Sequence, residues 1–253
     1  EPHQTSVPAP EDDDFLSNRQ FERSIMDTPE EYAKLPEIVK NGFGRVCYFK
    51  DYVDDKGDHN PYLRQYFEKI MSVERSVGEI LKMLEDKGVA DNTVIIFLSD
   101  HGTHFGERQL SGKWTPYDAS LRIPFIVYDP RSNSQKGVVR DEMILNIDLA
   151  PTLLDLAGIE VPEVMDGESL VPLLKDKKTS WRKYFFFEHY TSPASVRYIP
   201  RNVGVRTENA KYIKWVDFEP YPEEYFDLAS DPDEANNLIK NEKYKEMIDS
   251  DRS

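Results

Sequence analysis

The run Thr93-Val94-Ile95-Ile96-Phe97-Leu98 is apolar and largely β-branched, and it stops abruptly on Ser99-Asp100-His101-Gly102. A short run of this kind reads as a strand buried on both faces, as in a parallel sheet covered by helices. Ligands of such sheets bind beyond the carboxyl ends of the strands. An acid and an imidazole at that end therefore mark a candidate site, with Gly102 allowing a sharp turn and close approach of a ligand.

The flanking sequence supplies the rest of the unit. Asn60 and Pro61 have the chemistry of an N-cap and first helical residue, and Leu63, Tyr66, Phe67, Ile70, Val73, Val77, Ile80, Leu81 and Leu84 recur at helical steps up to Gly88. This long amphipathic helix feeds the strand, giving an αβ unit. A second strand is expected at Ile123 to Tyr128, and a short helix capped by Asp148 and ended by Gly158. The first residues, through the acidic cluster Glu11 to Asp14, have the composition of a solvated linker. After about Lys178 the texture changes to short β-type runs, Lys183 to His189, Asn202 to Thr207 and Lys211 to Phe218, followed by a charged helix near Asn237 to Ile248. Strands in succession imply a small antiparallel sheet, so the chain divides near residue 180 into an α/β portion, 1–180, and an α+β subdomain, 181–253.

Composition narrows the partners. The formal charge of −15 argues against nucleic acid or an anionic membrane surface, both of which reward a basic face. Any anionic substrate needs a local positive site within this acidic field. The single Cys47 excludes an internal disulfide framework and a cysteine-based zinc cluster. No apolar run reaches the ~18 residues of a membrane span. The chain begins Glu1-Pro2-His3 without Met, as expected of a processed or truncated product, so the fact that no signal peptide is visible says little about export.

Asp100 offers a hard carboxylate oxygen and His101 an imidazole nitrogen, which together make half of a divalent metal site. The same tripeptide also suits an Asx-type turn with a hydrogen-bonded histidine. Lys113, between Gly112 and Trp114 in the loop that returns to the sheet, can bring a cation beside the metal, and a metal with a lysine is an oxyanion site. Most lysines are simply surface residues.

The stretch Asn92 to Pro130 closely resembles the second signature block of the type I, formylglycine-dependent sulfatases of the alkaline-phosphatase-like superfamily. The likeness extends through "DLAPTLLDLAGIEVPEVMDGESLVPLL", "NVGVRTENAKYIKW" and "EYFDLASDPDEANNL", and "EPHQTSVPAPED" resembles the family's Pro-His loop. The resemblance implies an α/β sandwich with a central, largely parallel sheet flanked by helices, plus a small C-terminal antiparallel subdomain with a terminal helix. It makes Asp100 a calcium ligand, with His101 at a position that the family fills with Asn or His. Lys113 would contact the sulfate, and His3 would protonate the leaving alcohol. Sulfate-ester cleavage gathers negative charge on the leaving oxygen, so a general acid there and cations on the other oxygens lower the barrier.

Two family elements are missing. The formylglycine whose hydrate attacks sulfur arises from a Cys/Ser-x-Pro/Ala-x-Arg motif. Cys47 stands in "CYFKD", and Ser192 in "SPASVR" places Arg197 one residue too late. The N-terminal Asp-Asp pair that would supply further metal carboxylates is also absent. The chain is accordingly expected to be the C-terminal half of the fold, inactive alone, with a sheet edge and helix faces that the missing half covers. The whole protein is expected to hydrolyse a sulfated carbohydrate or related sulfate ester. A phosphoryl or phosphonate ester hydrolase of the same superfamily and a non-catalytic binding module are the alternatives. His104, Arg108 and Trp114 near the site loop, with His189, Arg197 and Arg201 from the C-terminal subdomain, are candidates for the substrate pocket. Family members are commonly exported to periplasm, lysosome or outside, and the same is expected here.

Overall fold

The computed structural model describes residues 7–12, 14–131, 137–175, 180–191, 198–217 and 219–252. Three short helices, α1 (Pro29–Lys34), α2 (Glu37–Lys40) and α3 (Phe43–Cys47), lead through a π turn into the long helix α4 (Asn60–Asp86). The start of α4 lies one residue earlier than expected. His59 is its N-cap, and Asp58 accepts from both the backbone and side-chain nitrogens of Asn60 at 2.9 and 2.8 Å. Little of its apolar stripe is covered among the described residues: Leu63 is buried, whereas Phe67, Ile70, Ile80 and Leu81 are exposed.

The acidic N-terminal segment is not a free linker. Asp12 is buried, accepts from Ser72 Oγ at 2.8 Å and pairs with Arg75, while Glu11 meets Arg75 at 2.7 Å. Backbone N–H groups of Ala9 and Leu16 donate to Ser72 and Glu68 of the same helix. A charge cluster that looks solvated in one dimension is thus a latch onto α4.

Strand β1 (Ile95–Leu98) pairs with β4 (Phe125–Tyr128) in a two-stranded antiparallel ladder. The intervening chain forms the small ribbon β2 (His104–Phe105) with β3 (Ser111–Gly112) and the single-turn helix α5 (Asp118–Leu121), not a crossover helix of the kind that parallel neighbours need. Burial on both faces of β1 is not achieved among the described residues: Phe97 is 39% exposed, and its partner on β4, Ile126, is 60% exposed. After β4 come α6 (Leu149–Leu156) and α7 (Val171–Leu174). Asp148 precedes α6 as expected, but its carboxylate accepts from the backbone of Leu145 and Glu168 and pairs with Arg182, so it ties three segments together.

The expected antiparallel sheet is a four-stranded meander: β5 (Tyr184–His189), β6 (Asn202–Thr207), β7 (Ala210–Trp215) and β8 (Glu223–Asp227), in that order. The terminal helix α8 (Lys245–Arg252) begins later than Asn237. Asn237 is instead stapled to β8, accepting from Tyr225 N at 3.1 Å and donating to Glu223 O at 3.2 Å. Ile248 of α8 packs on Val205, Tyr212 and Tyr225 of one sheet face. The other face shares a core with distant chain: Ile213, Trp215 and Phe226 pack with Leu35, Ile38, Val39, Leu110 and Tyr117. The sheet is therefore bound to the segment that follows Lys113.

Candidate active site

Beyond Leu98 the backbone is held by short-range bonds. Ser99 Oγ donates to His101 O at 2.9 Å, and Asp100 Oδ1 accepts from His101 N at 3.1 Å. Gly102 is needed here for packing, not for access by a ligand. A Cβ at this position would lie 2.3 Å from Ala119 O and 2.6 Å from Arg122 O, and Gly102 N donates to Ser120 O at 2.9 Å. The strand end is thereby pressed against α5.

The hairpin β2–β3 then returns Lys113 to the strand end, where its Nζ lies 2.6 Å from His101 Nε2. His101 Nδ1 lies 2.7 Å from Gly102 O. One assignment satisfies both contacts: Nδ1–H donates to the carbonyl, and Nε2 accepts from the ammonium. Asp100 Oδ2 is 3.5 Å from the same Nε2, with its side chain 81% exposed. Desolvation is the largest single influence and raises the Asp100 pKa, but His101, backbone N–H bonds and Lys113 together outweigh it and hold the carboxyl below the usual range. Both readings of the tripeptide are thus partly realised: a hydrogen-bonded turn, and an exposed carboxylate beside a cation.

As a metal centre this arrangement is incomplete. Calcium takes 6–8 oxygen ligands, yet no group of three or more His, Cys, Asp or Glu side chains suited to a metal occurs among the described residues. Asp100 fits as one hard ligand. A metal at His101 Nε2 would have to displace Lys113.

The other candidates fall in different places. His104 is 2% exposed; its Nε2 meets Thr115 Oγ1 at 2.7 Å, and burial, reinforced by Arg108 and Lys211, pushes its pKa down to about 3. Arg108 is also buried, with its guanidinium 4.3 Å over the Tyr117 ring. Neither lines an open pocket, because the ribbon turns both inward. Trp114 is half-buried beside Lys113 in a cleft. Arg201 is committed to the buried carboxylate of Asp217, which also accepts from Tyr198 OH at 3.0 Å. His189 ends β5, with Nε2 buried and unpartnered among the described residues. His3, Ser192 and Arg197 lie outside the described residues.

A buried charge network links the site loop to the sheet. Lys211, fully buried, reaches Asp118 Oδ1 at 2.5 Å, Glu234 Oε1 at 2.6 Å and Pro116 O at 2.9 Å. Arg206 makes a two-point contact with Asp118 at 2.9 and 3.1 Å, and Glu234 Oε2 accepts from Asp118 N at 2.7 Å. Nearby, Glu224 Oε2 accepts from Tyr117 OH and Trp215 Nε1, both at 2.9 Å. A signal for this network lay in strand alternation: Lys211 shares a face with Ile213 and Trp215, so it must point inward.

Two family models match the chain: Sulfatase over residues 11–159, and N-sulphoglucosamine sulphohydrolase, C-terminal, over residues 106–252. The chain belongs to the sulfatase family. An arylsulfatase of Clostridium perfringens is 38% identical over 73% of this chain and 37% of that protein. An N-acetylglucosamine-6-O-sulfatase of Bacteroides thetaiotaomicron is 34% identical over 84% of this chain and 40% of that protein. The chain thus spans about two fifths of the length of these relatives. A solved structure of a protein in complex with its substrate, D-glucosamine-2-N,6-O-disulfate, superimposes with a TM-score of 0.82 at 25% identity, covering 99% of this chain and 62% of that one. The sulfatase fold, in the alkaline-phosphatase-like superfamily, is therefore that of this chain, with its α/β portion and C-terminal antiparallel sheet and helix.

Proposed function

We propose that this chain is the C-terminal part of a sulfuric ester hydrolase acting on a sulfated carbohydrate or related ester. The observation that carries the reading is the convergence of Lys113, His101 and the exposed Asp100 at one strand end. In this account Lys113 leaves His101 to hold a sulfate oxygen, and Asp100 supplies one carboxylate to a calcium ion. His101 Nε2 becomes available to the metal once Lys113 has moved. Calcium would neutralise charge on the sulfate oxygens. His3, carried over from the family's Pro-His loop, would donate a proton to the leaving oxygen.

Formylglycine supplies the nucleophile in this family, and we assign it to sequence outside these residues, together with the remaining metal carboxylates. The half-open strand pair and the exposed far end of α4 support a packing face for that part of the fold. The division near residue 180 is proposed as a change of texture within one shared core. No helix among the described residues is long and apolar enough to cross a membrane; an exported location is proposed from the family alone.

The calcium dependence of sulfate-ester hydrolysis by the complete polypeptide tests the assignment. Asp100→Asn should raise the calcium concentration for half-maximal rate by at least about tenfold. An unchanged calcium requirement would remove Asp100 from the metal site.

A further inference from the structure

Lys113 reaches the strand end only because the β2–β3 hairpin closes in one register, with His104 opposite Gly112 and Phe105 opposite Ser111. The turn that closes it is strained. Gly106 has φ +98°, and two residues with long side chains, Arg108 and Gln109, follow at +54° and +55°. Residues with a Cβ reach the left-handed region at a cost, and such turns persist only where the surroundings hold them.

Arg108 is held from several sides. Its N–H donates to Met26 O at 2.8 Å, and its guanidinium lies over the Tyr117 ring and donates to Asp233 O at 3.3 Å. Gln109 is held by a single distant side chain. Arg45 Nη1, 64 residues away in sequence, donates to Gln109 O at 3.1 Å and to its Oε1 at 2.9 Å. The guanidinium is itself fixed against aromatic rings, 4.0 Å from the centroid of Tyr32, 4.2 Å from that of Phe49 and 5.1 Å from that of Tyr48. A flat guanidinium can stack on rings and donate at its edge at the same time, which an ammonium cannot.

The helix that carries Arg45 also touches the returning strand. A Cβ on Gly44 of α3 would lie 3.6 Å from both Leu110 Cδ2 and Ser111 O. Only Leu110, Ser111 and Gly112 separate Gln109 from Lys113, and Leu110 is locked in the core shared with Tyr117 and Trp215. A shift at Gln109 therefore has little slack in which to die away before it reaches Lys113.

We propose that Arg45 is a positioning residue for Lys113: by holding Gln109 in its left-handed turn it fixes the hairpin, and with it the place of the Lys113 ammonium beside His101. Its weight in hydrolysis rests on the sulfate reading of Lys113 given above.

The test uses the complete polypeptide with isotopically labelled histidine, so that the His101 ring resonance reports the Lys113 contact by NMR, together with phenyl sulfate hydrolysis. Lys113→Ala defines the resonance without the contact. Arg45→Met should shift the His101 resonance towards that position and lower kcat at least about tenfold. In the Lys113→Ala background it should change kcat by less than about twofold, because it acts through the lysine. Gln109→Gly, which takes the left-handed turn without strain, should move the resonance of Arg45→Met back towards wild type, and Arg45→Lys should recover only part of the rate. Should Arg45→Met fail to fold, Gln109→Ala removes one of the two acceptors, leaves α3 intact and must shift the resonance in the same direction. A wild-type His101 resonance in the folded variant, or a loss of kcat that multiplies with that of Lys113→Ala, overturns the proposal. A shifted resonance with wild-type kcat in both Arg45→Met and Lys113→Ala would sink the sulfate reading and leave the positioning role standing.

Discussion

Replacing Lys211 by Met should destabilise the chain by about 3–5 kcal/mol, the usual cost of breaking a buried ion pair from one side. Lys211 has no solvent to share its loss. Its ammonium lies within 2.6 Å of carboxylate oxygens from both Asp118 and Glu234. After the substitution Asp118 retains Arg206, so the unbalanced charge falls mainly on Glu234. Burial already pushes the Glu234 pKa up, with Asp118 adding to that effect and Lys211 opposing it. Without Lys211 it should rise further, so protonation relieves the penalty at low pH. A carboxyl whose folded pKa is raised favours the folded state below its unfolded value, and that contribution is lost as pH rises through the folded value. The penalty should therefore be larger near pH 8 than near pH 5. Asp118 behaves oppositely: burial raises its pKa, but Arg206 and Lys211 outweigh this and bring it down to about 2 from 3.8. That shift contributes about 2 kcal/mol at neutral pH, lost as pH falls from about 4 towards 2. Urea unfolding followed by tryptophan fluorescence provides the assay, since Trp215 is buried and bonded to Glu224. With m of about 2 kcal/mol/M, the midpoint should fall by about 1.5–2.5 M. Lys211→Met combined with Glu234→Gln should recover part of the loss. A single variant within about 1 kcal/mol of wild type at pH 8 would refute the reasoning.

Arg75→Ala should loosen the N-terminal latch, because Asp12 and Glu11 both depend on it; limited proteolysis should then cut within residues 7–24 several-fold faster, and an unchanged digestion rate would remove the latch. His104 stays neutral in the folded state down to about pH 3 while the unfolded chain takes up a proton below about 6.5. Stability should therefore fall with acidification between those values, by up to about 1.4 kcal/mol per pH unit from this group. His104→Gln should flatten the stability profile by that one-proton slope in parallel urea titrations, and coincident slopes would contradict the buried-neutral assignment.

Many elements of both portions could be read from local pattern. The stripe of α4, the strand stop at Ser99 and the succession of C-terminal β runs are short-range signals, and each corresponds to an element in the structure. Positions set by distant partners were less legible. Asp12 looks solvated until Ser72 and Arg75, some sixty residues away, reach it. His104 and Arg108 have the residue types of a binding loop, yet the ribbon and Tyr117 take them inward. The stretch containing Asn237 is polar and could be helical, but its side chain prefers the open backbone groups of β8. Within the site, the Asp100-His101 pairing was local, whereas the contact of Lys113 with His101 requires the intervening hairpin to close. The hold of Arg45 on Gln109 likewise depends on distant segments meeting.

The central claim is that Lys113 acts on the sulfate group, and steady-state hydrolysis of phenyl sulfate by the complete polypeptide tests it most directly. Lys113→Ala should lower kcat by about 10²–10³ with little change in thermal midpoint, since among the described residues the side chain meets His101, Asp100 and the Trp114 ring and belongs to no core cluster. A kcat within about twofold of wild type, far short of the loss expected for an oxyanion donor, would contradict the account.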